Sequence, residues 1–161
     1  MNLKFLNNIF IDVLPELIRY LKELKIILLS IVIFGSTVRM GINYARDIDI
    51  LIIIDKTLNP NDNVKLVNSL RRIFRKVVSK PLDIIVMSYD DFKKNLIPNT
   101  ILGTFVLGYK VIYDVINFDK HIIKLFKELA KGNYIYGDKF SVWNLSKIAK
   151  SRLSRLEIVN T

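Results

Sequence analysis

Apolar positions along this chain fall into two rhythms that alternate. Leu14, Leu17, Ile18, Leu21 and Leu24 recur at helical spacing, and Pro15 suits a first turn, so a helix is expected over Ile11–Leu24. Lys25–Phe34 is apolar on both faces and reads as a buried strand. Gly35 breaks it, Ser36 is placed as N-cap of a short helix reaching Met40, and Gly41 ends that helix. A loop, Ile42–Arg46, leads to a second apolar strand, Ile48–Ile54, and Asn59–Asp62 reads as a turn. Val64–Val78 follows as a helix, with Val64, Val67, Leu70, Phe74 and Val77–Val78 inward and Lys65, Arg71, Arg72, Arg75 and Lys76 outward. Pro81 stops it before a strand over Leu82–Met87. Tyr89-Asp90-Asp91 opens another helical turn with its acids at the favoured end. Thr100–Leu107 reads as helical, and Gly108 precedes a last strand, Lys110–Tyr113. Helices and strands alternate throughout, as in a single α/β unit.

From Asn117 the pattern changes. Ile122, Ile123, Leu125, Phe126 and Leu129 make an amphipathic helix closed by Lys131-Gly132-Asn133. Phe140–Ile158 reads as a second, with Val142, Leu145, Ile148, Ala149, Leu153 and Leu156 at helical spacing. The division expected is therefore residues 1–114 as the main domain and 115–161 as a basic helical extension. Lys120, Lys124, Lys127, Lys147, Lys150, Arg152 and Arg155 keep the exposed faces of that extension basic. Its apolar stripes need burial, against a partner protein or a second copy of the chain.

Composition narrows the chemistry. With 161 residues and 51% hydrophobic content the chain has enough material for one real core. Its longest apolar runs are far too short to span a bilayer, and Asp12, Glu16 and Glu23 interrupt the N-terminal segment, so neither a membrane span nor a signal peptide is expected and the location expected is cytoplasmic. There is no cysteine and a single histidine, His121. Disulfides, thiolate zinc sites and cysteine nucleophiles are thereby excluded, and hard oxygen-ligated ions, Mg²⁺ or Mn²⁺, are favoured. A formal net charge of +10 draws the chain towards nucleic acid or another acidic partner, or simply keeps it soluble.

The carboxylates carry the most specific signal. Gly35-Ser36 ends one strand, ten residues follow, and Asp47-Ile48-Asp49 opens the next. Two acids at i and i+2 on a strand share a face. Charges at the mouth of so apolar a strand call for compensation, and a divalent cation supplies it. A third acid, Asp83, opens the strand Leu82–Met87. Three carboxylates beside a Gly-Ser turn suit a metal-bound triphosphate. Other polar residues have plainer readings: Asp55 as a solvated strand end, Asp90 and Asp91 as helix-start acids, His121 as a surface helix residue and Trp143 as a core anchor. Tyr134 and Tyr136, in a loop, are open between packing and stacking on a base.

This arrangement resembles the DNA polymerase β-like nucleotidyltransferase superfamily, and within it the minimal nucleotidyltransferase (MNT) antitoxins that pair with HEPN-domain toxins. Gly35-Ser36, the ten residues Thr37–Arg46 and Asp47-Ile48-Asp49 match that family's signature in spacing, with Arg39 and Gly41 inside the spacer and Asp83 at its third carboxylate. Gly108–Asp114 looks like its terminal strand, so the resemblance spans about residues 10–114. Arg46 departs from it, standing where the family more often has a small Ser; its guanidinium would either pair with Asp47 or meet an incoming phosphate.

The resemblance implies an α/β (α+β) nucleotidyltransferase fold, a small mixed sheet flanked by helices, here with a C-terminal helical extension. It implies a metal- and NTP-dependent enzyme that moves an NMP unit, AMP from ATP, to a hydroxyl. Asp47, Asp49 and Asp83 would be catalytic and hold two Mg²⁺ or Mn²⁺ ions, with Asp83 on the nucleophile side. Gly35, Ser36 and Arg39 would bind the nucleotide phosphates. Three functions are compatible: AMPylation of a tyrosine on a partner HEPN toxin, nucleotide addition to RNA or tRNA ends, or a non-catalytic partner-binding module. The intact carboxylate triad argues against the third. Small size and the ten-residue spacing favour the first, with self-association as a further possibility, and net charge favours the second.

Overall fold

The computed structural model describes residues 3–137 and 141–159. Helix α1 (Leu3–Glu23) is followed by strand β1 (Leu28–Phe34), the short α2 (Ser36–Met40) and β2 (Ile48–Ile54). Then come α3 (Pro60–Phe74), β3 (Leu82–Ser88), α4 (Tyr89–Lys94), a 3₁₀ helix (Ile101–Leu107) and β4 (Tyr109–Asp114). Helix α5 (Phe118–Lys131), a hairpin of β5 (Ile135–Gly137) and β6 (Val142–Asn144), and α6 (Leu145–Val159) complete the described chain. This is the expected α/β class, built on a four-stranded sheet in the order β3-β2-β1-β4. The sheet is mixed: β1 runs antiparallel to β2 and β4, whereas β2 and β3 are parallel.

Both central strands are apolar on both faces because both faces are covered. Ile31, Ile33, Ile48, Ile50, Ile52 and Ile54 point to one side, where Phe10, Val13, Leu17 and Leu21 of α1 and Leu66, Leu70, Ile73 and Phe74 of α3 bury them. Val32, Phe34, Leu51 and Ile53 point to the other, into a second core with Phe92, Leu102, Phe105 and Val106. The same core takes Phe118, Ile122, Leu125, Phe126 and Leu129 of α5 and Leu145 and Ala149 of α6. Most of the apolar stripes of the C-terminal extension are therefore buried against the chain's own sheet, while Val142 and Leu156 stay 74% and 40% exposed. The expectation that they await a partner is corrected: the strands are apolar on two faces, and only one face has α1 and α3 to cover it.

Several boundaries differ from those expected, each for a local reason. Helix α1 starts at Leu3, so Pro15 lies inside it rather than in its first turn. The helix is held on both sides of Pro15 by buried Phe10, Val13, Leu17 and Leu21, while Ile18 and Leu24, expected inward, are 39% and 43% exposed. Helix α3 begins at Pro60, because the Asn59 side chain caps it by accepting from the Asp62 amide at 2.9 Å and proline suits the first helical position. Val64, also expected inward, is exposed. Asp90 and Asp91 do start α4, where Ser88 accepts from the Asp91 amide and donates to its carboxylate. The hairpin β5–β6 is new: Val142–Asn144 is strand, and α6 begins only at Leu145. Phe140, the expected start of that helix, lies outside the described residues.

Candidate active site

Strand parity decides where the acids go. Asp49 and Asp83 are register partners across the parallel pair β2–β3. Their Cα atoms therefore sit about 4.8 Å apart, with both side chains on the same face. That face is the one of Leu51, Ile53, Ile85 and Met87, the side covered by α5 and α6. Asp47 lies two residues ahead of Asp49 at the strand mouth and is exposed, as is Asp83. Asp49 is half-buried, and its carboxyl is pushed up to about 6. Burial is the largest cause, the neighbouring charges of Asp47 and Asp83 add to it, and the charge of Arg39 opposes it.

Gly35 explains how α2 comes so close. Its φ of +72° suits glycine, and a Cβ placed there would stand 1.9 Å from Asp49 Oδ2. The cap position of α2 thus belongs to Gly35, without a side-chain hydrogen bond, and Ser36 is the first helical residue rather than the expected N-cap. Thr37 is fully buried, and its Oγ1 donates to the Asp47 carbonyl at 2.9 Å, tying α2 to the mouth of β2. Lys80 secures the same loop from below, donating through Nζ to the carbonyls of Asn43 and Ala45. Neither residue stands out as a candidate in the sequence pattern. A hydroxyl next to a Gly-Ser pair was a usable hint for Thr37; nothing local marks Lys80.

Arg39 lies in the last turn of α2 with its guanidinium over the Trp143 ring, 5.0 Å from the centroid. Trp143 packs at the edge of the second core, as an anchor should, and Tyr136 stacks on it within the hairpin. Arg46 is exposed, and among the described residues it forms no ion pair with Asp47. Asp55 accepts from the Ile27 amide at 2.8 Å on the far end of β2, away from the other acids. His121 is half-buried rather than on the surface, with its ring edge against Tyr89 and Phe92 and a hydrogen bond to the Tyr89 hydroxyl.

The structure thus brings Asp47, Asp49, Asp83, Gly35 and Arg39 to one end of the sheet. Among the described residues, no three metal-ligating side chains are gathered around a single point. The Asp49 carboxyl feels the charges of Asp47 and Asp83, and the oxygens of all three are the hard donors a Mg²⁺ or Mn²⁺ ion prefers, so the residues fit such an ion chemically.

The polymerase β nucleotidyltransferase family model matches residues 16–107, which contain every one of these site residues. The chain belongs to that family. No curated protein matches it. Among solved structures, this nucleotidyltransferase is similar to a toxin–antitoxin with AMP-PNP, at 16% identity over 96% of this chain and 98% of that one, TM-score 0.46. It is similar also to the complex of a tri-AMPylated Shewanella oneidensis HEPN toxin with MNT antitoxin, at 15% identity over 98% of each chain, TM-score 0.45. A third, the toxin–antitoxin MntA–HepT, is 14% identical over 98% of this chain and 99% of that one, TM-score 0.44. Among the described residues no helix of the nucleotidyltransferase is long and apolar enough to cross a membrane.

Proposed function

We propose that the chain transfers AMP from ATP to a hydroxyl on a partner protein, a tyrosine of a HEPN toxin, as an MNT antitoxin would. The acceptor oxygen attacks the α-phosphorus, the bond to the bridging oxygen breaks, and pyrophosphate leaves. The single observation that carries the reading is the register pair Asp49–Asp83, with Asp47 beside it and Gly35 opening room for the Asp49 carboxylate.

In this reading Asp47, Asp49 and Asp83 hold two Mg²⁺ or Mn²⁺ ions. Bound there, the ions would supply charge neutralisation for the reacting phosphate and lower the cost of ionising the acceptor hydroxyl. Asp83, exposed at the edge of the site, faces the acceptor and helps take its proton. The amides of Gly35–Thr37 and the Ser36 hydroxyl receive the outer phosphates, and Arg39 clamps them from the next turn of α2. Residues 1–114 form the catalytic unit, and residues 115–161 serve as the layer that closes the site's face of the sheet.

A protein acceptor is supported by surface left over on α1. Ile11 and Ile18 on the helix, with Leu24 and Ile27 just beyond it, are 39–61% exposed, and Ile11 and Ile18 lie on one helical face. The formal net charge of +10 supports a second reading, nucleotide addition to an RNA end. Incubation with ATP labelled at the α-phosphate, offering HEPN protein and RNA side by side, separates the two. Label on protein that survives nuclease is expected. Label on RNA alone would replace the first reading with the second, and no label on either, with metal present, would remove both.

A further inference from the structure

The C-terminal hairpin makes one contact that nucleotidyl transfer has not yet called on. Trp143, the only tryptophan of the chain, stands on β6 directly across from Tyr136 on β5, with ring centroids 5.8 Å apart and planes 21° from parallel. The hairpin is fastened to α6: the Leu145 amide donates to the Tyr134 carbonyl, and the buried Ser146 hydroxyl accepts from the Tyr134 amide, both at 2.8 Å. This braced ring carries the Arg39 guanidinium on its surface. The Arg39 amide donates to the Gly35 carbonyl at 3.3 Å, which puts Arg39 one turn beyond the glycine that faces Asp49. From its place over the ring the Arg39 guanidinium is still near enough to Asp49 for its charge to oppose the upward shift of that carboxyl. A five-residue helix offers little else to fix so long a side chain, and guanidinium stacking on indole is the strongest of the cation–π pairings.

We propose that Trp143 is a positioning residue for nucleotidyl transfer: its ring holds the Arg39 guanidinium beside the carboxylate site, so that the C-terminal hairpin completes a triphosphate clamp begun on α2. The proposal rests on the reading of Arg39 as that clamp. It assigns catalytic work to a segment outside the matched residues 16–107.

The test is a double-mutant cycle on MgATP and MgAMP affinity by calorimetry, with melting followed alongside. Trp143→Leu and Arg39→Ala should each weaken MgATP binding about tenfold, and the double variant should be no weaker than either alone. MgAMP, lacking the outer phosphates, should bind all of them alike, and Trp143→Phe should recover most of the lost ATP affinity. Independent effects that multiply in the double variant, or a Trp143→Leu protein that binds MgATP as the wild type does, would overturn the proposal and leave the nucleotidyltransferase reading standing. Wild-type protein that binds no MgATP at all would instead remove that reading, and the proposal with it. Should Trp143→Leu not fold, the native tryptophan reports directly. Magnesium tripolyphosphate should change its emission in the wild type and not in Arg39→Ala; an equal change in both would overturn the proposal.

Discussion

The two faces of the sheet are built from the same strands and do different things. On the first, α1 and α3 close over a nearly unbroken layer of isoleucine and leucine, and no acid interrupts the buried positions. On the second, the same alternation brings Asp49 and Asp83 into line with Leu51, Ile53, Ile85 and Met87, and the cover is assembled from more pieces: α4, the 3₁₀ helix, α5, the hairpin and α6. Both faces carry a buried core, but the second gives up some stability at Asp49, whose half-buried carboxyl lies beside two like charges. A single residue's shift of β3 against β2 would turn Asp83 to the other face, away from Asp49, which is why the apolar pattern of both strands matters to the chemistry.

The largest effect should come from removing a carboxylate from the second face. Asp49→Ala and Asp83→Ala should each lower turnover by roughly three orders of magnitude or more. Asp83→Ala should retain MgATP better if, as proposed, Asp83 serves the acceptor side. The quiet face predicts the opposite signature. Ile52→Ala, fully buried there, should cost about 2–5 kcal/mol in denaturant unfolding while leaving turnover of the folded fraction unchanged. Wild-type rates in either aspartate variant, or a specific loss of activity in Ile52→Ala, would break the division between the faces.

Glycine sharpens the comparison at a smaller scale. Gly35 and Gly41 both have positive φ, at +72° and +90°, but a Cβ on Gly35 meets Asp49 and a Cβ on Gly41 meets nothing within 4 Å. Gly41→Ala should therefore show only the backbone cost of about 1–2 kcal/mol. Gly35→Ala adds a collision with the Asp49 carboxylate, and should also abolish the rise in melting temperature that millimolar Mg²⁺ is expected to give the wild type. Equal metal responses in the two variants would mean that α2 does not approach the site so closely.

Much of this was legible in the residues, and the exceptions share a cause. The Gly-Ser spacing, the parity of Asp47 and Asp49, and the third acid at the head of a strand all depend on local pattern, and the structure brings those acids to one end of one sheet. The pairing of Asp49 with Asp83 needed the relative register of two strands more than thirty residues apart, which no local signal encodes. The cover of the second face is not legible locally, because two apolar faces on β1 and β2 demand two layers of helices, and that demand shows only when the whole sheet is considered. Val142–Asn144 carries its apolar residues in an order that suits helix or strand equally, and pairing with Ile135–Gly137 decides it. Thr37 and Lys80 act through backbone carbonyls distant in the chain, and such partners leave no spacing to find.

The smallest effect, and the one that ties electrostatics most directly to the second face, is the pH dependence of stability. The folded Asp49 carboxyl titrates at about 6, against an ordinary value of 3.8 in the unfolded chain. The folded state therefore holds a proton more tightly, so Asp49 favours folding most below about pH 4 and progressively less as pH rises through 6. Because the group is half-exposed, water screens much of the penalty, and a loss of about 1 kcal/mol between pH 4 and pH 7 is the expected scale. Asp49→Asn has no charge to lose. Against the wild type it should be equally stable near pH 4 and about 1 kcal/mol more stable at pH 7, as read from urea midpoints at matched ionic strength. Millimolar Mg²⁺ or Mn²⁺ should close that gap from the wild-type side by favouring the ionised carboxylates. A gap that is constant from pH 4 to pH 7, or one that widens when metal is added, would show that the acids on the second face are not in electrostatic competition.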